Sequence, residues 1–327
     1  MIYCGDALKV LKSLPDRSVN CCVTSPPYWG LRDYGMDGQI GLEQSIHEHI
    51  DKLVEVFREV RRVLRDDGTL WVNYGDTYLQ MSGDGFLKNK KLQRNIGGRA
   101  DLRVKSPLKP KNLAGLPWRL AFALQDAGWY LRSDIIWYKP NAMPESVKDR
   151  PTKAREYVFL LSKKPKYYYD NEAIKESAVS DENASEFRGG CYVEGELDNG
   201  TMGKRKVVGN TKSHSFARNS KRPGGQHREE REDIAYSGAK RNARSVWTIA
   251  TQACREAHFA TFPDELAARC IKAGCPDGGI VLDPFLGSGT TYAVANGLGR
   301  QAIGIELNPE YVEIARGKIG MFVEVAQ

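Results

Sequence analysis

Gly279-Ile280-Val281-Leu282-Asp283-Pro284-Phe285-Leu286-Gly287-Ser288-Gly289-Thr290-Thr291 is the stretch whose reading decides the fold. An apolar run ends on an acid, and a turn with two glycines then feeds a helix. A buried parallel strand delivers its carboxyl end to a ligand crevice in this way. Gly287 and Gly289 are expected to let the backbone approach a ligand at the helix N-terminus. No Gly-Lys-Ser/Thr follows, so this is not a Walker loop, and Tyr292 stands where a dinucleotide fingerprint has its third glycine. Gln301 to Glu306 reads as the next strand. Glu306 ends it, where an acid can grip two ribose hydroxyls. Asn308-Pro309 opens the last helix.

Working outward, the N-terminal half repeats this grammar. Met1 to Cys4 is a short strand ending at Gly5-Asp6, with Asp6 on the crevice side, and Ala7, Leu8, Leu11 and Leu14 keep helical spacing after it. From Ser45, apolar residues from Ile46 to Leu64 line one helical face, and Asp66-Asp67-Gly68 is expected to end that run. Thr69 to Tyr74 reads as a buried strand with Gly75-Asp76 at its carboxyl end. A helix runs from Leu116-Pro117 to Gly128. Trp129 to Tyr138 and Tyr157 to Ser162 are two further strands, expected as an antiparallel pair at the sheet edge. The expected fold is α/β, a doubly wound and mostly parallel sheet.

The apolar run Val19 to Val23 breaks at Thr24-Ser25-Pro26-Pro27-Tyr28. Two prolines fix φ and remove two N–H donors, so the strand must stop in a rigid loop with outward carbonyls. Such a loop is rich in acceptors and poor in donors. An exocyclic amine has the complementary character, because acceptors that hold its hydrogens make its nitrogen lone pair available. Ser25 Oγ and a proline-region carbonyl suit that role, and Tyr28 offers a ring face for a base turned out of a helix. Taken alone, Ser-Pro-Pro-Tyr reads equally well as a strand-ending turn.

With the Asp-Pro-Phe-Leu-Gly-Ser-Gly-Thr-Thr turn, the chain resembles the DNA amino-methyltransferases that use S-adenosylmethionine. The order of the two motifs resembles the permuted group often called the beta class. The resemblance implies a Rossmann-like methyltransferase sheet, circularly permuted, with an inserted target-recognition region. On it, Ser25, Pro26, Pro27 and Tyr28 are the catalytic candidates. Asp6, Thr24, Phe262, Asp283, Pro284, Phe285, Gly287, Ser288, Gly289, Thr290, Glu306 and Asn308 are the candidates for the cofactor. Lys139-Pro140-Asn141 resembles a segment beside the base pocket, and Asn73 and Asp76 are further pocket candidates. His258 precedes the cofactor strand and reads as structural, since the family reaction needs no base there.

The chain has 327 residues and a net charge of +7, which fits one catalytic domain carrying a large insertion. Catalytic parts are expected over residues 1–170 and 245–327, with a basic loop at 82–112 and the insertion at 171–244. The loop includes Lys88, Lys90, Lys91 and Arg94, and the insertion Arg205, Arg218 and Arg222, among many other cations. We expect these, with Lys139 and Asn141, to contact DNA, the loop and parts of the insertion ordering on it; a merely solvated basic loop is the plainer alternative for 82–112. Seven cysteines without Cys-x-x-Cys spacing point to reduced packing residues and away from a metal site. No signal peptide or membrane-length apolar run is visible, so a cytoplasmic protein is expected.

The expected function is methyl transfer to the amino group of a flipped base in double-stranded DNA. Serine at the first claw position, where adenine-modifying relatives more often carry Asp or Asn, favours cytosine N4, with adenine N6 as the alternative. A nicotinamide-dependent oxidoreductase would share the glycine turn and the acid but has no use for the claw. A non-catalytic DNA-binding module would explain the basic stretches but not the cofactor loop. A separately encoded cognate endonuclease is a possible partner.

Overall fold

The computed structural model describes residues 1–31, 33, 35–79, 108–177, 193–196, 202–205, 240–252, 262–320 and 324–326. Lys88, Lys90, Lys91, Arg94, Arg218, Arg222 and His258 lie outside the described residues, as does the side chain of Arg205. The chain divides into two compact units, Met1–Ile174 with Ala243–Gln327, and Lys175–Asn242.

The first unit is built on one sheet, with nine strands among the described residues. In chain order these are β1 (Ile2–Cys4), β2 (Val19–Thr24), β3 (Leu64–Tyr74), β4 (Tyr130–Tyr138) and β5 (Arg155–Ser162). After the second unit, whose strands are β6 (Glu176–Ser177), β7 (Val193–Glu196), β8 (Met202–Arg205) and β9 (Lys240–Arg241), come β10 (Val246–Thr248), β11 (Ile280–Asp283), β12 (Gln301–Glu306) and β13 (Val325–Ala326). The spatial order is β10-β4-β5-β3-β2-β11-β12-β1-β13, and every pairing is parallel except the two made by β5. The first and last strands pair directly, Ile2 opposite Val325.

Helices cover both faces, as a parallel sheet requires. On one side lie α1 (Ala7–Ser13), α2 (Ile46–Val63) and α3 (Leu116–Asp126), packed on Cys22, Leu70, Val72 and Leu282. On the other lie α4 (Asp264–Gly274), α5 (Thr290–Gly297) and α6 (Pro309–Ile319), packed on Cys21, Val23, Trp71 and Val281. Neighbouring residues of one strand thus belong to opposite cores, the period of two expected of extended chain. Helix α2 starts in a full capping box, with Ser45 Oγ accepting from Glu48 N–H and the Glu48 carboxylate accepting from Ser45 N–H.

Two expectations need correction. Asp66-Asp67-Gly68 does not end the long helix, which stops at Val63; these residues already belong to β3. The strand starts early because Leu64 pairs with Val19, after which the register shifts and Gly68 fits tightly against the Asn20 carbonyl. Nor are β4 and β5 the sheet edge. Strand β10 pairs outside β4, held by Trp247 stacked on Trp71 with ring centroids 6.3 Å apart and by Trp137 Nε1–H donating to the Ile249 carbonyl at 2.8 Å.

In the second unit, β6 pairs antiparallel with β9, Glu176 opposite Arg241, and β7 pairs antiparallel with β8. Among the described residues no helix is long and apolar enough to cross a membrane.

Candidate active site

The parallel strands β1, β2, β11 and β12 all end on one side of the sheet, and a cleft opens there. It lies where β2 meets β11, from which the chain winds outward in both directions, the place where open α/β sheets bind ligands. Asp6, at the end of β1, lines it and also caps α1, its Oδ1 accepting from Lys9 N–H at 2.9 Å. Ser25, Pro26, Pro27 and Tyr28, directly after β2, form one wall. Asp283, which ends β11, and Pro284, Phe285, Gly287, Ser288 and Thr290 after it form another, with Phe262 beside them. Glu306, which ends β12, and Asn308 after it close the far end, and Leu31, Met36, Gln39 and Ile40 of the loop after the claw line the cleft as well.

Two members of the expected cofactor set do not reach the wall. Thr24 is fully buried, and its hydroxyl donates to Asp283 Oδ1 at 2.6 Å, so it acts on the cleft by holding that carboxylate. Gly289 has φ 81°, and a Cβ there would come within 2.9 Å of Ile319 and 3.1 Å of Ala315. Its glycine admits helix α6, whereas a Cβ at the neighbouring Gly287, with φ 53°, would meet only the Phe285 carbonyl, at 4.0 Å.

The two strand-end acids differ in how they are held. Asp283 is 3% exposed and accepts from Thr24 and from Phe285 N–H; burial outweighs those bonds and pushes its carboxyl up to about 6. Glu306 receives Gly287 N–H at 2.8 Å on one oxygen and Asn308 N–H at 2.9 Å on the other. Burial, aided by the Asp283 charge, raises it too, against those backbone donors. Neither acid forms an ion pair among the described residues, so this end of the cleft suits a ligand that brings hydroxyl donors and positive charge.

The claw rests on Glu156, which no sequence pattern marked, and on Asn73 and Lys139, which the resemblance had placed near the base pocket. Tyr28 O–H donates to Glu156 Oε2 at 2.8 Å, and Asn73 Nδ2–H donates to the same carboxylate oxygen at 3.0 Å and to the Tyr28 oxygen at 3.3 Å. Lys139 pairs with Glu156 Oε1 at 2.5 Å while its ammonium lies 4.2 Å from the Trp137 ring centroid. Burial opposes the Glu156 charge, but the Lys139 ammonium and the two donors hold its carboxyl below the ordinary value. The Tyr28 ring packs over Gly75, where a Cβ would come within 2.7 Å of Cε2, and edge-on against Tyr74 at 5.0 Å.

Behind Tyr74 the polar chain continues. Tyr74 O–H meets His49 Nε2 at 2.6 Å, and His49 Nδ1 meets Glu43 Oε2 at 2.8 Å, both rings being fully buried. Glu43 also accepts from Gly41 N–H at 2.9 Å and pairs with Lys52 at 3.1 Å. Although burial disfavours its charge, the bonds and charge of His49 bring the Glu43 carboxyl down to about 2. This link ties α2, β3 and the loop after the claw to one another. A buried histidine on an otherwise apolar helix face was the signal that could have found it.

Other pocket and DNA candidates are used internally. Asp76 stays out of the cleft wall and caps α3, accepting from Gly115 and Leu116 N–H, each at 3.1 Å. Lys139 is paired with Glu156. Asn141 is exposed, yet its amide makes reciprocal bonds with the Thr251 backbone at 3.0 and 2.8 Å, which pins the connector after β4.

Comparison with known proteins places these features in a family. A DNA methylase family model matches residues 19–317. The chain is 47% identical to the Type II methyltransferase M.Cfr9I of Citrobacter freundii over 97% of its length and 87% of that protein. It is 45% identical to the Type II methyltransferase M.SmaI of Serratia marcescens, over 97% and 90%. Among solved structures it is similar in fold to the PvuII DNA methyltransferase (cytosine-N4-specific), with TM-score 0.59, 19% identity and coverage of 99% of this chain and 86% of that one. A Thermus thermophilus protein solved with S-adenosyl-L-methionine gives a TM-score of 0.55 at 24% identity, covering 100% and 99%.

Proposed function

The chain belongs to the DNA methylase family of N6- and N4-amino-methyltransferases, and from that premise we propose that it methylates the exocyclic amino group of cytosine, at N4, in double-stranded DNA. The observation that carries this reading is the shared cleft. The donor-poor wall of Ser25, Pro26, Pro27 and Tyr28 faces the same space as the two strand-end acids and the Gly287 turn.

The cofactor is S-adenosylmethionine, which when bound supplies an electrophilic methyl group on a sulfonium centre. The residues present fit it. Glu306, already oriented by two backbone N–H groups, keeps lone pairs for ribose hydroxyls, and Asp6, Phe262, Phe285 and Asn308 line the rest of that end. The unpaired acids favour a ligand of positive charge.

At the other wall, Ser25 Oγ and the Pro26 carbonyl accept the amine hydrogens, drawing the nitrogen lone pair out of conjugation with the ring. Tyr28 presents its ring face to the flipped base. The protein's contribution is positioning and acceptor placement, with the amine proton lost to solvent. Serine at the first claw position, where adenine-modifying relatives more often carry Asp or Asn, favours cytosine N4; adenine N6 is the second reading.

Lys175–Asn242 is proposed as the target-recognition part, with the basic residues at 82–112 as phosphate contacts. Relatives at 45–47% identity are named Type II methyltransferases, which supports a protective role beside a separately encoded endonuclease in the cytoplasm.

The test is to incubate the protein with S-adenosylmethionine and unmodified genomic DNA, digest to nucleosides, and identify the product by mass spectrometry. N4-methylcytosine is expected. N6-methyladenine would keep the transfer and overturn the base, and no methylated nucleoside would overturn both. Ser25→Ala should lower turnover by about tenfold or more while leaving cofactor affinity unchanged, the signature of a bond made mainly in the transition state.

A further inference from the structure

A glutamate at position 156 is costly for the fold. Residue 156 alternates with Val158 and Leu160 on one face of β5, and its side chain is only 15% exposed. Burial opposes its charge, so three separate donors are needed to hold it.

Those donors have a direction. Tyr28 has one hydroxyl proton, and it goes to Glu156 at 2.8 Å. Burial, together with the Glu156 charge, pushes the Tyr28 phenol well above its ordinary value, so that proton stays on the oxygen. The phenol oxygen can then only accept. It receives Asn73 Nδ2–H at 3.3 Å and faces the Ser25 O–H across 3.5 Å, a contact longer than the ordinary O–H···O bond of about 2.5–3.0 Å. Ser25 likewise has one proton, and directing it to Tyr28 leaves its lone pairs pointing elsewhere.

We propose that Glu156 is a positioning residue for the methyl-transfer reaction, setting the sense of the chain Glu156←Tyr28←Ser25 so that Ser25 meets the target amine as an acceptor. A serine hydroxyl is otherwise indifferent to its role, since it can rotate to donate or to accept. An amine approached by a donating hydroxyl would have its lone pair occupied and would not be nucleophilic. Aspartate or asparagine at the first claw position would accept through a fixed oxygen; a serine there needs its proton committed behind it. Lys139 keeps Glu156 ionised, and an ionised carboxylate can only accept, so the Tyr28 proton is held on that bond and the reverse orientation is excluded.

The proposal rests on the amino-methyl transfer reading, and the experiment separates the two. Methyl incorporation into DNA is measured for the wild type, Glu156→Gln, Tyr28→Phe and the double variant, with S-adenosylmethionine affinity by calorimetry and melting temperature alongside. Glutamine can donate to or accept from Tyr28, so it removes the fixed sense; phenylalanine keeps the ring and removes the relay. Each single change should lower kcat by about tenfold, the worth of one such bond, with cofactor affinity within about twofold of wild type. The double variant should be no slower than the slower single variant, since both cut the same chain. Glu156→Gln at wild-type turnover, or decrements that multiply in the double variant, would overturn the proposal. Should Glu156→Gln melt early because Lys139 loses its partner, Tyr28→Phe, which keeps that ion pair, decides: wild-type kcat there also overturns it. A wild-type protein that transfers no methyl would overturn the parent reading together with this one.

Discussion

Asp283 illustrates what a single residue does at the strand end. Its folded carboxyl titrates at about 6, above the ordinary value of 3.8, because burial outweighs its hydrogen bonds. A raised acid favours the folded state while protonated, so its contribution to stability is present below about pH 4 and is lost as pH rises through 6. The full loss is about 3 kcal/mol at most. Urea unfolding of the wild type and Asp283→Asn, which retains an acceptor for Thr24, should show the variant gaining relative stability between pH 4.5 and 7.5. Glu306 shifts in the same direction but is present in both proteins, so most of its effect cancels. A gap independent of pH would mean that Asp283 is already ionised in the apo protein.

Residues of this kind were legible before the structure, because an acid or a glycine at a strand end is a local signal. Most of the expected cofactor residues do line the cleft. Thr24 and Gly289 do not, for a reason that local sequence cannot carry. Thr24 is turned to Asp283 on the neighbouring strand β11, and the side of the glycine turn that faces a helix depends on where α6 packs, an element that enters the chain only after β12.

At the scale of elements, α2 is both a scaffold and a support for the claw. Its apolar face was readable from the spacing of Ile46, Ile50, Leu53, Phe57 and Val60, all buried. His49 sits on that same buried side and reaches Tyr74 and Glu43. Replacing it by phenylalanine would leave Glu43 buried with a weakened set of partners and should destabilise the protein by about 3–5 kcal/mol in chemical denaturation. A loss under about 1 kcal/mol, typical of a simple surface change, would show that Glu43 is satisfied by Gly41 and Lys52 without the histidine. Strand β10 was invisible as an edge strand because three residues cannot display a period. What makes Val246–Thr248 a strand is the pair of tryptophans behind it.

At the scale of the whole molecule, the cleft and the claw network belong entirely to the unit formed by Met1–Ile174 and Ala243–Gln327. The ends of the other unit are neighbours, since β6 and β9 pair with Glu176 opposite Arg241. Adjacent strands lie about 5 Å apart, so a short Gly-Ser linker can replace Lys175–Asn242 without stretching the chain. The shortened protein should bind S-adenosylmethionine within about threefold of wild type in calorimetry and lose methyl transfer to DNA, as expected when positioning contacts go and the cofactor pocket stays. Full retention of DNA methylation would remove that unit from target recognition.

The sequence by itself determined the α/β class, the strand-end acids, the glycine turn and the proline claw. Each is written within about ten consecutive residues, as hydrophobic period, fixed φ or a missing donor. The tertiary structure decided the partners. Glu156 stands 128 positions from Tyr28 and 83 from Asn73, and they meet because β5 runs antiparallel beside β3, with Asn73 opposite Val158. Strand order and register come from the summed packing of two cores, not from any one stretch. What a claw residue donates and accepts is therefore set by residues distant in the chain.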